Sequence, residues 1–575
     1  MKNILRINLS SGQFSFEPVS GEYINLGGRG LISSILADEV DPKTDPLGEK
    51  NKLIFAPGLL AGTPALNSGR CSVGAKSPLT KGIMEANSGG HAATVMAKSS
   101  IAAIVLEGKA DKSTLLKLSK DSVTFSDADF LKGRGNYDVI DMLKPLSTAI
   151  ISIGQAGEQE LTAAGIMFST KDFHPRMAAR GGLGAVMGSK NVKAVILDDS
   201  ANEPILTRDI KKEFIATASQ LAKGILSHPL MDGLKFMGTP VLVNMINELG
   251  ALPTQNFVQG RNAEAGNLSA EHMATLAKSR PNFKMTHKCM EGCMIDCSNI
   301  FTDEAGEVVV GGLEYETLAL VGSNCMINDI DIVAMINRVC NDVGVDTMEI
   351  GGALALFMEA GKLEWGDGEK ALSLVREISD GTDIGIMLGH GGLFTGKSLD
   401  VERIPHVKGR ILAGYDPRVL KGTGVTYATS TMGADHTAGN ALPSPANPDY
   451  NPMSSEGQSP VSSFLQNHNA AVDTLGMCLF PMLALLDIPD LKILLIKCVS
   501  LVTGKDLDEN YIDQMGAGIL KTEREFNLKA GLSSSDDRLP SFFSKEKLET
   551  TGTVFDVSHE EIDSVNSIQI MKGKP

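Results

Sequence analysis

Three cysteines crowd into nine residues of this 575-residue chain: Cys289, Cys293 and Cys297, spaced C-x3-C-x3-C. Thiolates this close repel one another unless a cation holds them, and a soft metal centre is the usual partner. A four-iron cluster takes four thiolates, so a fourth has to come from elsewhere in the chain. A zinc ion held by these cysteines and His287 would use the same segment. A four-residue spacing also stacks inert cysteines on one helical face. The radical-initiating spacing C-x3-C-x2-C is missed by one residue. The remaining cysteines, at 71, 325, 340, 478 and 498, are scattered and make no disulfide framework.

A second pattern occurs twice. Asn341-Asp342-Val343-Gly344-Val345-Asp346 and Asp473-Thr474-Leu475-Gly476-Met477-Cys478 both read [N/D]-x-x-G-x-[D/C]. The glycine lets backbone approach a ligand closely, and the flanking amide or carboxylate can hydrogen-bond a polar heterocycle. Two similar loops suit two similar ligands, and the second would set a thiolate beside its own.

The elements that must carry these residues change character along the chain. Up to about residue 200, short apolar runs alternate with glycine turns; Lys52–Gly58, Ile101–Leu106 and Lys193–Leu197 predict strands. After Asn202 the spacing turns helical, with Thr207 as N-cap and Phe214, Ala218, Leu221 and Ile225 on one face. The glycine-rich run Gly381–Ser398 suggests a second boundary. We expect an α+β multidomain fold: a sheet-rich N-terminal cofactor-binding domain over 1–203, then two mainly helical domains over 204–398 and 399–575. No tandem repeat is read from the sequence.

The bulk numbers bound the function. With 42 % hydrophobic and 21 % charged residues the chain has an ordinary globular composition. Its net charge of −16 argues against nucleic acid or anionic lipid as partner. Gly476–Val502, the most apolar stretch, is broken by two prolines and four charged residues, so buried helices and no membrane span are expected. Met1–Arg6 lacks a signal-peptide core, so the cysteines are expected in the reducing cytoplasm.

In order along the chain, further motifs resemble the tungsten-containing aldehyde:ferredoxin oxidoreductase family. They are Gly27-Gly28-Arg29-Gly30, Ala56–Pro64, Gly69-Arg70, Lys76–Thr80, Asn87-Ser88-Gly89-Gly90, Arg180–Lys190, Gly238-Thr239, Glu314-Tyr315-Glu316, Tyr415–Arg418 and Gly433-Ala434-Asp435-His436, together with both repeated loops. The resemblance implies an oxygen-sensitive enzyme that oxidises a small aldehyde to a carboxylic acid. It implies tungsten (or molybdenum) held by two molybdopterins, a magnesium ion between their phosphates, and one [4Fe–4S] cluster. Electrons would pass to ferredoxin or to an iron–sulfur electron-transfer subunit.

By the same resemblance Arg70 and Arg180 are pterin and phosphate contacts, a role their guanidinium forks suit. The carbonyls of Asn87 and Gly181 correspond to magnesium ligands, and Gly181, Gly182 and Gly184 form a glycine-rich run that can offer N–H groups to phosphate. Asn341, Gly344 and Asp346 bind one pterin, and Asp473, Gly476 and Cys478 the other. Cys478 joins Cys289, Cys293 and Cys297 on the cluster. Glu316 and His436 match the acid and base of the substrate pocket, with Glu314 a competitor for the first role. Two alternatives share this ground: a same-family subunit reducing an aromatic acyl-thioester, and a non-catalytic iron–sulfur electron-transfer subunit.

The chain departs from the family pattern in places. The family spacing C-x2-C-x3-C is lengthened by one residue in its first gap. Asn341 stands where Asp is common, and Leu313 where a proline often lies. No E-x-x-H occurs, so an iron bridging two subunits is not supported, and a homodimer rests on analogy alone.

Overall fold

The computed structural model describes residues 2–198, 205–444 and 448–572; the expected first boundary, at 203–204, lies outside them. The architecture is mixed α/β, with a sheet-rich N-terminal region and a helical remainder. The strand segments read from the sequence form as Leu53–Pro57, Ile101–Glu107 and Val192–Leu197, all nearly or wholly buried. Unbroken apolar runs of this length bury both faces of a strand.

Two six-stranded sheets make up the first part. The first contains β1 (Asn3–Asn8), β2 (Gln13–Pro18), β3 (Leu53–Pro57), β4 (Cys71–Lys76), β5 (Ile83–Ser88) and β6 (Ile101–Glu107), in the order β2-β1-β6-β3-β4-β5. The second contains β7 (Thr114–Leu118), β8 (Val123–Asp127), β9 (Ala149–Ser152), β10 (Ile166–Ser169), β11 (Pro175–Ala178) and β12 (Val192–Leu197), in the order β11-β10-β9-β12-β7-β8. The two orders are the same. Each sheet opens with an antiparallel hairpin and pairs its last strand parallel to its first. Each adds its three middle strands antiparallel. The chain therefore carries a topological repeat that no tandem repeat in the sequence announces.

The twin glycines lie before the last strand of each half: Gly89-Gly90 ahead of helix Ala92–Lys98, and Gly181-Gly182 ahead of helix Leu183–Ser189. Gly90, Gly181 and Gly182 all have positive φ, at 112°, 86° and 74°, which glycine adopts freely.

Helices dominate from Arg208. Helix Arg208–Leu226 starts after Thr207 and buries Phe214, Ala218, Leu221 and Ile225 on one face, as its spacing predicts. The glycine-rich run after Gly381 is itself helical, in two short pieces, Asp383–Gly389 and Gly392–Ser398. Gly476–Val502 forms helices Leu479–Asp487 and Pro489–Thr503. Among the described residues no single helix is long and apolar enough to cross a membrane.

Candidate active site

Both repeated loops are the same local structure. Helix Ile330–Val343 ends on Gly344 at φ 80°, and helix Gln458–Leu475 ends on Gly476 at φ 73°. In each, the amide after the glycine reaches back five residues, Val345 to the Cys340 carbonyl and Met477 to the Val472 carbonyl. That is the αL cap that closes a helix and frees the chain to turn. The last residue of each motif then starts a new helix: Asp346 caps Thr347–Glu359, and Cys478 caps Leu479–Asp487. Asp346 accepts from the Met348 amide, whereas the Cys478 thiol makes no capping bond.

Each loop presses on the sheet region at an equivalent place. Gly58, after β3, abuts Gly476 so closely that a Cβ would overlap its backbone; Gly154, after β9, does the same against Val343. Arg70, before β4, donates its amide to the Gly476 carbonyl at 3.1 Å, and Gly165, before β10, donates to the Gly344 carbonyl at 2.9 Å.

The space between the two loops is charged and buried. Arg29 bonds Glu523 at 2.8 Å and lies 3.3 Å from Asp473. Asn87 Nδ2 donates to Glu85 at 3.1 Å and to Asp473 at 3.0 Å. Burial and mutual repulsion push the Glu85 carboxyl up, and burial does the same for Asp473. Arg70 donates to Asn87, to its side-chain oxygen and at 3.0 Å to its carbonyl. Arg180 donates to Asp346 at 3.1 Å and to the carbonyls of Ala434 and Ile411 at 2.7 and 2.6 Å.

Further along the same interior, His436 Nε2 lies 3.3 Å from Glu316 Oε1. The other Glu316 oxygen accepts the Gly414 amide at 2.7 Å. Tyr415 packs over His436 with ring centres 5.6 Å apart, and Tyr315 packs on Tyr415 at 5.0 Å. Glu316 Oε1, His436 Nδ1 and the Tyr427 hydroxyl are buried without a hydrogen-bond partner. Burial pushes the Glu316 carboxyl up. Glu314 points elsewhere: Thr239 Oγ1 and Ser298 Oγ hold it at 2.6 and 2.9 Å. Of the two glutamates, Glu316 is the one that faces His436.

The four cysteines converge beside the second loop. Cys293, Cys297 and Cys478 are buried in one apolar cluster, and Cys289 packs against it. Contact with Cys293 lowers the Cys289 thiol to about 6; burial pushes Cys478 up to about 11, contact with Cys289 together with burial raises Cys293, and burial raises Cys297. Among the described residues no three of these sulfurs lie within 4.8 Å of one another. One tetrahedral zinc with bonds of about 2.3 Å would draw them closer. His287 is engaged apart from them, at 2.8 Å from Asp172 through Nε2 and 3.1 Å from an Arg176 nitrogen through Nδ1. Asp172, His174 and His287 could gather on a cation by distance. Arg176 can only donate, so the ring proton of His287 sits on Nε2, where a metal would have to bind.

This arrangement has relatives. The model of the aldehyde ferredoxin oxidoreductase N-terminal domain matches residues 4–199, and the model of domains 2 and 3 of the same enzymes matches residues 216–565. The chain belongs to the aldehyde ferredoxin oxidoreductase family. The tungsten-containing aldehyde ferredoxin oxidoreductases of Pyrococcus furiosus and Thermococcus kodakarensis are each 34 % identical to it, over 95 % of this chain and 91 % of theirs. The WOR-like subunit of an aliphatic sulfonate oxidoreductase from Pyrococcus furiosus is 26 % identical over 72 % of this chain and 71 % of its own. The active-site complex BamBC of benzoyl coenzyme A reductase shares the fold, with a TM-score of 0.79 at 19 % identity, covering all of this chain and 94 % of that one.

Within the family frame, sequence reasoning assigned no role to Arg29, Glu85, Tyr427 or Asn67. Arg29 lies within Gly27-Gly28-Arg29-Gly30, where an arginine among glycines is the available signal. Nothing in the sequence marked the other three. Gly184 differs from its expected part: its amide donates to the Ala164 carbonyl at 2.9 Å, and a side chain there would overlap the Gly165 carbonyl. It is a packing glycine.

Proposed function

We propose that this chain is a tungsten (or molybdenum) bis-pterin enzyme that oxidises an aldehyde to a carboxylic acid. The observation that carries the proposal is the close pair Glu316 and His436, with His436 Nδ1 and the neighbouring Tyr427 hydroxyl left without a hydrogen-bond partner, beside two matching glycine-capped loops. Such orphaned buried groups are costly unless a ligand completes them.

The residues present fit the cofactors the family implies. Asn341, Gly344 and Asp346 would hold one pterin, and Asp473, Gly476 and Cys478 the other, with Arg70 and Arg180 toward phosphate. The carbonyls of Asn87 and Gly181 each accept one donor, from Arg70 and from Ser77 Oγ at 2.7 Å. A carbonyl has two lone pairs, so each keeps one for magnesium. Three buried thiols and a half-buried fourth, no three of them within 4.8 Å of one another, fit a [4Fe–4S] cluster. When bound, the metal–pterin centre supplies two-electron redox chemistry at the substrate carbon.

The chain's own groups handle protons and position. Oxidation takes RCHO and water to RCOOH, two protons and two electrons. Glu316 Oε1 accepts a proton from the water-derived nucleophile, while the Gly414 amide fixes the other oxygen. Burial raises its pKa above that of an ordinary carboxylate, which makes it a stronger base. His436 hydrogen-bonds the substrate carbonyl oxygen, and the three tyrosines exclude bulk water. Cys289, Cys293, Cys297 and Cys478 would hold the cluster, which would supply one-electron transfer toward ferredoxin or a related iron–sulfur partner. Eight free cysteines suit an oxygen-sensitive enzyme of the reducing cytoplasm, folded as the three domains anticipated from the sequence. A homodimer is retained as part of this reading by analogy.

Anaerobic purification followed by metal analysis and aldehyde titration tests the proposal. One tungsten or molybdenum and about four irons per chain, with aldehyde-dependent reduction of a ferredoxin, are expected. Full metal content with no reduction by any aldehyde would overturn the activity. Iron without tungsten or molybdenum, from a host that supplies them, would leave only an electron carrier.

A further inference from the structure

Asn67 lies between the cysteine loop and Cys478, and every polar atom it has is used there. It is wholly buried at φ 59°. Its amide donates to the Gly292 carbonyl at 3.0 Å, and its carbonyl accepts the Cys478 amide at 2.8 Å. Its side-chain oxygen accepts the Met294 amide at 3.1 Å, and Nδ2 donates to Cys293 Sγ at 3.3 Å. One residue thus joins the C-x3-C-x3-C loop to the cysteine that arrives from 181 positions further on than Cys297 in the chain.

The twin half shows what this asparagine adds. There the amide of Asp346 donates to the Ala163 carbonyl at 3.1 Å, as that of Cys478 does to Asn67. Ala163 supplies the same backbone bond and has no polar side chain. The half without the cysteine cluster keeps the backbone contact alone; the half that carries it adds an amide directed at a thiol. The contact falls in the first gap of the cysteine motif. Gly292, exposed and at φ 74°, bulges away from the protein, and its carbonyl is what the Asn67 amide holds.

We propose that Asn67 is a positioning residue for the iron–sulfur cluster, clamping the lengthened cysteine loop to Cys478 and donating a hydrogen bond to the Cys293 thiolate. This rests on the four-cysteine reading above. A donor to a ligating sulfur stabilises the more negative, reduced cluster and so raises its potential.

The test uses holoenzyme purified without oxygen, as wild type, Asn67→Asp and Asn67→Gly. Asp and Gly both tolerate positive φ. Asp keeps an acceptor for Met294 but loses the donor and adds a charge; Gly keeps only the backbone bonds. Iron and sulfide are counted, and the cluster potential is read by redox titration with electron paramagnetic resonance. Asn67→Asp is expected to disfavour reduction about tenfold, a shift of about 59 mV for a one-electron couple, and Asn67→Gly to shift it less in the same direction. Loss of iron from both variants with tungsten retained supports the clamp. Wild-type potential, signal and iron in both variants overturn the inference. Wild-type protein that carries tungsten but no iron overturns the cluster reading instead.

Discussion

The two halves of this molecule share a strand order and a loop, and differ in what the loop ends on. One ends on Asp346, whose carboxylate closes the next helix and pairs with Arg180 at 3.1 Å. The other ends on Cys478, whose thiol caps nothing and faces three further cysteines. Backbone geometry is conserved across the repeat because the αL glycine and the close approach to Gly154 or Gly58 leave it little freedom. Chemistry diverges at single side chains: Asp for Cys, Ala163 for Asn67. Repeated backbone thus supplies two similar cradles, and only the second ends on a thiol beside three further cysteines.

The largest effect should come from erasing that difference. Cys478→Asp gives the second loop the ending of the first. Tungsten is expected to stay, the [4Fe–4S] cluster to be lost, and ferredoxin-linked turnover to fall at least about a thousandfold, since an electron path and not a proton is removed. A variant with intact cluster and near-normal ferredoxin reduction would mean that Cys478 is not a ligand.

Next comes the pocket that both cradles flank. Glu316→Gln should lower kcat about 10²- to 10⁴-fold, the usual weight of a general base. The sign of the pH dependence follows from burial. A base must be ionised, and its pKa is raised, so wild-type kcat should fall as pH drops through a value above the ordinary carboxylate range. Glu316→Gln should lose that acid limb, and Glu314→Gln should keep it. A limb that survives in Glu316→Gln assigns it to another group.

How much of this was legible in the sequence follows from the range of the signals. Strands such as Ile101–Glu107 were plain, because a bounded apolar run needs no knowledge of its neighbours. The capped loops were plain as a motif, since a helix end and its glycine are local. The repeat of the sheets was not, because its partners are related by strand order while their connecting loops differ in length. Asn67 was invisible: its contacts reach Gly292, Cys293, Met294 and Cys478, and none lies near it in sequence. Glu314 and Glu316 could be separated only by tertiary structure, since which one meets His436 depends on where Thr239 and Ser298 arrive.

The close contacts that the halves share give the third test. Gly58→Ala and Gly154→Ala both drive a methyl into the backbone of the facing loop. Each should cost about 1–3 kcal/mol by overpacking and weaken cofactor retention on its own side. Gly58→Ala should release iron as well as tungsten, and Gly154→Ala tungsten only; thermal unfolding and metal counts on the same samples read both. Equal iron loss from the two variants would break the claim that the halves have separate duties.

The smallest effect, and the sharpest statement of the comparison, is the reverse exchange. Ala163→Asn places the amide of Asn67 in the half that lacks the four clustered cysteines. Ala163 is wholly buried, its amide bonded to the Gly389 carbonyl at 3.0 Å and its carbonyl to Asp346. A new side chain there meets packed neighbours and none of the four clustered thiols, so its polar atoms go unpaired. That costs about 1–3 kcal/mol, seen as a lowered Tm. Iron content and cluster potential should match wild type, because the thiols lie in the other half. A shifted potential in Ala163→Asn would show that the cluster responds to any strain on either loop. The shift expected from Asn67→Asp would then lose its meaning as the loss of one hydrogen bond.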